Sequence, residues 1–294
     1  MGKQSSKLRE LLKRPGFVAA AGAWDALSAK LVEAEGIEAI DINGSGVAHT
    51  MTGKPDIGYI TQTEMLEVAR RVAQAVNIPV IADCDDGFGS PLDVRRTVQL
   101  FEQAGVAGLH IEDNAMPKRC VHFGPGKLEP VEVMVQKVKA AVAARKDPDF
   151  IIIVRTDNHP GVGVDEVIAR ATAYAKAGAD MAIIIGLKTV EDMRRACREV
   201  PIPLVGYQLG GQSPMLSPAE FENVGYKMVL YFSTLYTAAY MAARDAARNL
   251  KKGLQNKSQV PPLGGTWEDL IYLEEVVGLK EDAKLQEKYL FYIK

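Results

Sequence analysis

Cysteine is scarce in this chain, with three in 294 residues (Cys84, Cys120 and Cys197), too few and too scattered for a disulfide framework or a CxxC metal site. Such usage fits a reducing compartment in which the thiols stay free. Neither sign of charge is in excess: 35 Lys+Arg stand against 37 Asp+Glu, a formal net charge of −2, so no global electrostatic reason exists to bind nucleic acid or an anionic membrane. Long apolar runs are also missing. Nothing approaches the roughly 18 consecutive apolar residues of a membrane span, and the N-terminal MGKQSSKLRELLKRPG lacks the apolar stretch of a secretory signal. The expectation is a soluble, cytoplasmic protein. No strand-linked GxGxxG occurs, which argues against an open dinucleotide-binding sheet.

What is present is apolar and periodic. Hydrophobic residues make up 47% of the chain, ample for a large core in one large domain or two small ones. Short apolar or β-branched runs fall at 17–20, 38–42, 79–83, 108–112, 150–155, 180–185, 203–207 and 228–232. Helical candidates lie between and after them at 26–35, 62–76, 92–104, 131–145, 165–177, 190–199, 218–223 and 234–250. The phrases EAEGIEAI, EQAGVAGLH and AKAGADMAI each place a glycine at a helix end just before the next strand, where a left-handed cap is useful. Eight strands, each followed by a helix, predict a closed (β/α)8 TIM barrel over residues 1–250. Residues 251–294 begin with a polar loop holding Pro261, Pro262 and Gly264–Gly265. They continue as amphipathic segments, read as a C-terminal helical extension that packs on the barrel or a neighbouring subunit.

In such a barrel the carboxyl ends of the strands line the active site, and here those ends are acidic. Strand three runs into Ala82-Asp83-Cys84-Asp85-Asp86-Gly87-Phe88-Gly89, with Asp83 and Asp85 two residues apart and so on one side of an extended chain. Strand four ends in His110-Ile111-Glu112-Asp113. Adjacent strands bring Asp83, Asp85 and Glu112 together, and hard oxygen ligands suit Mg²⁺ better than Zn²⁺ or copper. Asp86 reads instead as a solvated or capping residue. Strand two is followed by Asn43-Gly44-Ser45-Gly46-Val47, a small-residue loop whose amides and hydroxyl suit a carboxylate or a developing oxyanion, or simply a tight turn. Pro55-Asp56-Ile57-Gly58 supplies a further acid. Strand five ends in Arg155-Thr156-Asp157, and Arg155 is either a bidentate carboxylate clamp or a structural ion-pair partner. The loop after strand four holds Lys118-Arg119-Cys120-Val121-His122, and bases beside a cysteine would make its thiol usable near neutral pH.

Taken in order, these segments, together with Trp24-Asp25-Ala26-Leu27-Ser28-Ala29, resemble the isocitrate lyase/phosphoenolpyruvate mutase superfamily over roughly residues 5–250. Within it they are most like the group of 2-methylisocitrate lyase, 2,3-dimethylmalate lyase and carboxyphosphonoenolpyruvate phosphonomutase. The resemblance implies a barrel dependent on Mg²⁺, with Mn²⁺ as a substitute, acting on α-oxycarboxylates. It also implies a homotetramer built from dimers that exchange a C-terminal helix. By position, Asp83 matches the direct metal ligand, and Asp85, Glu112 and Asp56 match residues holding metal-bound waters. Ser45, Gly46 and Val47 match the segment that contacts the α-oxycarboxylate end of the substrate. Arg155 matches the carboxylate-binding arginine, and Cys120 the lyases' catalytic cysteine. Trp24, Lys118 and His122 fall among the substrate-facing positions, and Tyr207 takes the one on strand seven. The implied reaction cleaves a carbon–carbon bond of a 2-hydroxy di- or tricarboxylate, giving a 2-oxo acid and a second carboxylic acid.

The pattern breaks at three places. Val121 replaces a glycine in the cysteine loop, Ile185 replaces a glutamate at the end of strand six, and Gly206-Tyr207 stands where the lyases carry an asparagine. Loss of two polar contacts suits a substrate with fewer carboxylates or with an alkyl group. It also keeps open an oxaloacetate decarboxylase or hydrolase, a C–P bond enzyme of the same superfamily and, outside enzymes, a noncatalytic barrel that binds a small acid.

Overall fold

Along each strand the side chains alternate between two apolar layers, as a period of two requires. Ile152 and Val154 join the layer between sheet and helices, while Ile151 and Ile153 join an inner cluster with Val18, Ala20, Ile81, Met181, Ile183 and Leu230. That pattern recurs on every strand of a sheet that is closed on itself. The computed structural model describes residues 4–116, 118, 126–208, 213–258 and 266–289. Its strands are β1 (Val18–Ala23), β2 (Ala39–Ile42), β3 (Val80–Asp83), β4 (Gly108–Glu112), β5 (Ile151–Asp157), β6 (Met181–Ile185), β7 (Leu204–Tyr207) and β8 (Met228–Tyr231). They pair in parallel in chain order, and β8 returns to β1. The fold is the (β/α)8 barrel read from the sequence.

Several elements differ from that reading. The first strand runs on to Ala23, because Ala21, Gly22 and Ala23 carry too little side chain to signal a strand yet pair fully with β2. Strand β5 continues through polar Thr156 and Asp157. The segment expected as a small-residue loop is a helix, Gly44–Thr52: Asn43 caps it by accepting from the Gly46 amide (3.0 Å), and Gly53 ends it in the left-handed conformation. Two glycines and a serine hide a helix that its cap supports.

An N-terminal helix, Gln4–Lys13, was not anticipated. It closes the amino-terminal end of the barrel, with Leu8, Leu11 and Leu12 in the inner cluster. Around this plug, Gln4 Nε2 donates to the Ala73 carbonyl (3.1 Å), Ser5 Oγ to Asp147 (2.8 Å) and Arg9 to Asp180 (2.7 Å). At the opposite end, a Cβ on Gly22 would run into the Phe232 carbonyl, so only glycine lets the ends of β1 and β8 approach this closely.

The chain divides into two compact units, residues 1–235 and 236–294. The second begins within the long helix Thr234–Asn256 and continues with helices Trp267–Val277 and Leu279–Tyr289. Thr266 and Asp269 form a capping box at the start of Trp267–Val277, and Gly278 ends it in the left-handed conformation. This unit leaves large apolar side chains exposed, among them Trp267 (71%), Leu254 (69%), Tyr289 (62%) and Leu285 (51%). Among the described residues, no helix is long and apolar enough to cross a membrane.

The plug yields a direct test. Leu8 is fully enclosed, so Leu8→Ala should cost about 2–5 kcal/mol, read as a lowered urea midpoint and a lowered Tm.

Candidate active site

The inward-facing positions at the carboxyl ends of the strands fall into two halves. Strands β2 to β5 contribute Asp41, Asp83, His110, Glu112, Arg155 and Asp157; β6 and β7 contribute Ile185 and Tyr207. Register sets the neighbours: Asp83 lies beside His110, Glu112 beside Arg155, and Asp157 beside Ile185. The charged half is buried, with Glu112 2%, Asp83 7% and Asp85 8% exposed. Lys118 stands in its midst. The ammonium donates to Asp85 Oδ1, lies 3.2 Å from Asp56 Oδ1 and 3.8 Å from Glu112 Oε1, and its side chain is 3% exposed. Lys118, expected to face substrate, is thus bound to carboxylates.

Arg155 makes a fork. Its Nε and Nη2 donate to the two oxygens of Asp157 at 2.9 and 2.8 Å, while Nη1 stands 3.0 Å from Glu112 Oε2. That Glu112 oxygen is buried and makes no hydrogen bond. Asp157 also accepts from Asn114 Nδ2 (3.1 Å), and Asn114 Oδ1 meets His159 Nε2 at 2.7 Å. His110 lies between two acids, with Nε2 3.2 Å from Asp41 and Nδ1 3.6 Å from Asp83.

The remaining sequence-derived residues are placed as follows. Gly44 abuts Asp83, since a Cβ there would strike its carboxylate. Ser45 Oγ donates to Asn43 (2.7 Å), and the Gly46 and Val47 amides bond to the Asn43 side chain and carbonyl, so the helix start itself uses those groups. Trp24 packs beside Gly46. Tyr207 stacks on Phe232 with ring centroids 4.6 Å apart. Asp86 is neither solvated nor in the mouth: it is 6% exposed and pairs with Lys137 at 3.1 Å, because the turn after β3 sends its side chain behind the barrel wall. Cys120 and His122 lie outside the described residues. Sequence reasoning missed Asp41, His159 and Lys137. The Ala39-Asp41-Asn43 alternation on strand two was a usable signal for Asp41; nothing local marks the other two.

The electrostatics follow from burial with a surplus of acid. Asp56, Asp83, Asp85, Glu112 and Asp157 face the Lys118 ammonium and the Arg155 guanidinium. Burial pushes Asp85 up to about 7; Lys118 pulls it down, and Asp83, Glu112 and Asp56 add to the rise. Burial likewise raises Glu112 against the pull of Arg155 and Lys118. Asp83 is buried too, yet His110, Lys118 and Arg155 together hold it below its ordinary value. Burial opposes the charged forms of Lys118 and Arg155, and the acids around them more than offset it.

Among the described residues no group of three or more His, Cys, Asp or Glu side chains stands in metal-holding arrangement. The chemistry of the donor set nonetheless fits a hard divalent cation: the converging groups are carboxylates, they outnumber the cations beside them, and one Glu112 oxygen is buried without a hydrogen bond.

Fold and mouth together define a (β/α)8 barrel of the enzyme type, with its polar side chains gathered at the carboxyl ends of the strands. The family profile described as phosphoenolpyruvate phosphomutase matches residues 8–251, and the chain belongs to that family, within the isocitrate lyase/phosphoenolpyruvate mutase superfamily. It is similar to the 2,3-dimethylmalate lyase of Eubacterium barkeri, 37% identical over 97% of this chain and 98% of that one. Among solved structures it is similar to oxaloacetate acetylhydrolase in complex with the inhibitor 3,3-difluorooxalacetate, with a TM-score of 0.87 and 30% identity over 97% of both chains. It is also similar to a phosphonopyruvate hydrolase in complex with oxalate and Mg²⁺, with a TM-score of 0.85 and 28% identity over 98% of this chain and all of that one. The superfamily likeness read from the sequence is borne out.

One pH dependence arises just behind the mouth. Asp113 Oδ2 accepts from Tyr174 (2.6 Å), Thr156 (2.9 Å) and Arg170 (3.2 Å), while Oδ1 is buried without a partner. Burial raises Asp113 to about 6, against those bonds. The folded state therefore holds this proton where the unfolded chain, near pKa 3.9, has released it. Stability from this group falls as pH rises from about 4 to about 6 and is level above. Asp113→Asn removes the titration, so its unfolding free energy from urea denaturation, relative to the unsubstituted protein, should rise between pH 4.5 and pH 7 by up to about 2 kcal/mol.

Proposed function

We propose that this chain is a Mg²⁺-dependent carbon–carbon bond lyase. It would cleave a 2-hydroxy di- or tricarboxylate of the 2-alkylmalate or 2-methylisocitrate type into a 2-oxo acid such as pyruvate and a second carboxylic acid. The observation that carries the reading is the convergence of Asp56, Asp85 and Glu112 on one ammonium, with Asp83 in the same charged half and Arg155 at its edge. The similarity to a 2,3-dimethylmalate lyase along nearly the whole chain supports it, as does the Mg²⁺ and oxalate complex of a structural relative.

In this reading, as the family resemblance implies, Asp83 would hold the cation and Asp85, Glu112 and Asp56 would hold its bound waters. A divalent cation held there would supply Lewis acidity, favouring loss of the proton from a 2-hydroxyl. Arg155 offers a planar fork to a substrate carboxylate, preset by its two bonds to Asp157. Once the hydroxyl proton has passed to a neighbouring carboxylate of the charged half, the alkoxide electrons form the new carbonyl and the adjacent carbon–carbon bond breaks. The departing carboxylate-stabilised carbanion takes a proton from the Cys120 thiol, the role the resemblance gives it. Ser45, Gly46, Val47, Trp24 and Tyr207 would border the substrate, and the resemblance gives His122 a substrate-facing role, while Lys118 would act by balancing the acids it is bonded to. The exposed apolar side chains of residues 236–294 support a homotetramer of helix-exchanging dimers, in which a partner subunit covers them.

A second reading has its own support. Ile185 and Tyr207 make the β6–β7 side of the mouth apolar where a tricarboxylate would need polar contacts, and oxaloacetate acetylhydrolase is a close structural relative. Oxaloacetate hydrolysis or decarboxylation needs no such thiol.

A panel of 2-alkylmalates, 2-methylisocitrate, oxaloacetate and phosphonopyruvate, assayed with Mg²⁺ for 2-oxo acid release or substrate loss, decides between them. A substituted malate or methylisocitrate should turn over fastest, EDTA should stop it and Cys120→Ser should remove it. Consumption of oxaloacetate alone, unaffected by Cys120→Ser, makes the second reading correct.

Arg155→Lys keeps the charge and loses the fork. It should lower kcat/KM by roughly 100-fold, about 2–3 kcal/mol, in steady-state assays on protein whose melting remains cooperative.

A further inference from the structure

Lys137, on helix Val131–Ala144, is 2% exposed, and no step above uses it. Its ammonium donates to the Asp86 main-chain carbonyl (3.0 Å), to Asp86 Oδ2 (3.1 Å) and to Glu129 Oε1 (3.3 Å), with Glu129 Oε2 at 3.1 Å. An enclosed ammonium is costly to desolvate unless it is bonded in this way. What it grips is the turn of residues 84–89 after β3.

That turn is strained. Asp85 (φ 43°) and Phe88 (φ 64°) both occupy the left-handed region, which residues with a Cβ adopt at a cost and keep only when their surroundings impose it. Local bonds contribute: the Gly87 amide donates to Cys84 O (2.7 Å), Glu112 N to Asp85 O (2.7 Å) and Phe88 N to Asp86 Oδ1 (3.0 Å). Among the bonds just named, those of Lys137 are the ones whose donor is itself charged, and they act from the far side of the wall. Asp85 and Asp86 are adjacent yet point apart, Asp85 to Lys118 in the mouth and Asp86 back to Lys137. Holding Asp86 therefore sets the direction of Asp85.

We propose that Lys137 is a positioning residue for the metal site: by anchoring Asp86 it fixes the turn that presents Asp83 and Asp85 to a hard divalent cation. The inference rests on the metal reading given under Proposed function. It differs from that reading in placing a determinant of cation affinity on a helix behind the barrel wall, outside the mouth.

The test uses Mn²⁺ as probe, titrated into the full-length protein with the free ion read by electron paramagnetic resonance. Lys137→Met keeps the length and packing of the side chain and drops its charge. Its Mn²⁺ dissociation constant should rise about 10- to 100-fold, the usual effect of losing an outer partner of a metal ligand, while melting stays cooperative. A role confined to stability would lower Tm and leave the dissociation constant within twofold, and that result overturns the proposal. If Lys137→Met does not fold, Asp86→Asn, which keeps an oxygen for the Phe88 amide, is judged by the same criterion. Failure of both to fold also overturns it, since Lys137 would then serve the fold as a whole. Absence of Mn²⁺ binding by the unsubstituted protein sinks the metal reading itself, whereas unchanged affinity in a folded variant sinks this inference alone.

Discussion

A surplus of carboxylates withdrawn from water at one end of the barrel is the constraint on which the rest of the site depends. Buried acids repel one another and resist ionisation, so Asp85 and Glu112 are pushed up while Lys118 and Arg155 are held firmly charged. No single element could assemble such a group: β3, β4, β5, the segment around Asp56 and Lys118 just past β4 each contribute. The rigidity of the closed sheet opposes the tendency of these charges to move apart.

The charge is confined to one side. Strands β2 to β5 end in acids, a histidine and an arginine, while β6 and β7 end in Ile185 and the stacked Tyr207. A small organic acid seated between these halves would place its oxygens against the charged side and any alkyl part against the other, where desolvation is favourable. Behind the charged half lies a second ring of polar groups that never reach the mouth. Tyr174, Thr156 and Arg170 hold Asp113; Asn114 and His159 hold Asp157; Lys137 holds Asp86. These contacts fix the backbone from which the mouth residues project.

The barrel was legible because its signal is repeated eight times. A run such as Phe-Ile-Ile-Ile-Val at 150–154, followed by an amphipathic helix ending at glycine, constrains little alone and a great deal in series. What escaped was local and compositional. Helix Gly44–Thr52 opens with Gly-Ser-Gly, poor helix formers, and exists because Asn43 caps it and the barrel rim holds it. Helix Gln4–Lys13 carries its few leucines on one face, a pattern whose meaning depends on there being an open barrel end for them to fill.

By itself the sequence determined the order of the strands, and through side-chain alternation it placed Asp83, Glu112 and Arg155 at their carboxyl ends. Period and chain order are local properties, readable without coordinates. Only the tertiary structure decided that Lys118 reaches in among the acids, that His110 stands between Asp41 and Asp83, and that Asp86 turns away to Lys137. Those partners are separated in sequence by helices and whole strands. Long flexible side chains can point many ways, and the choice falls to whichever direction pairs a buried charge once the sheet has closed.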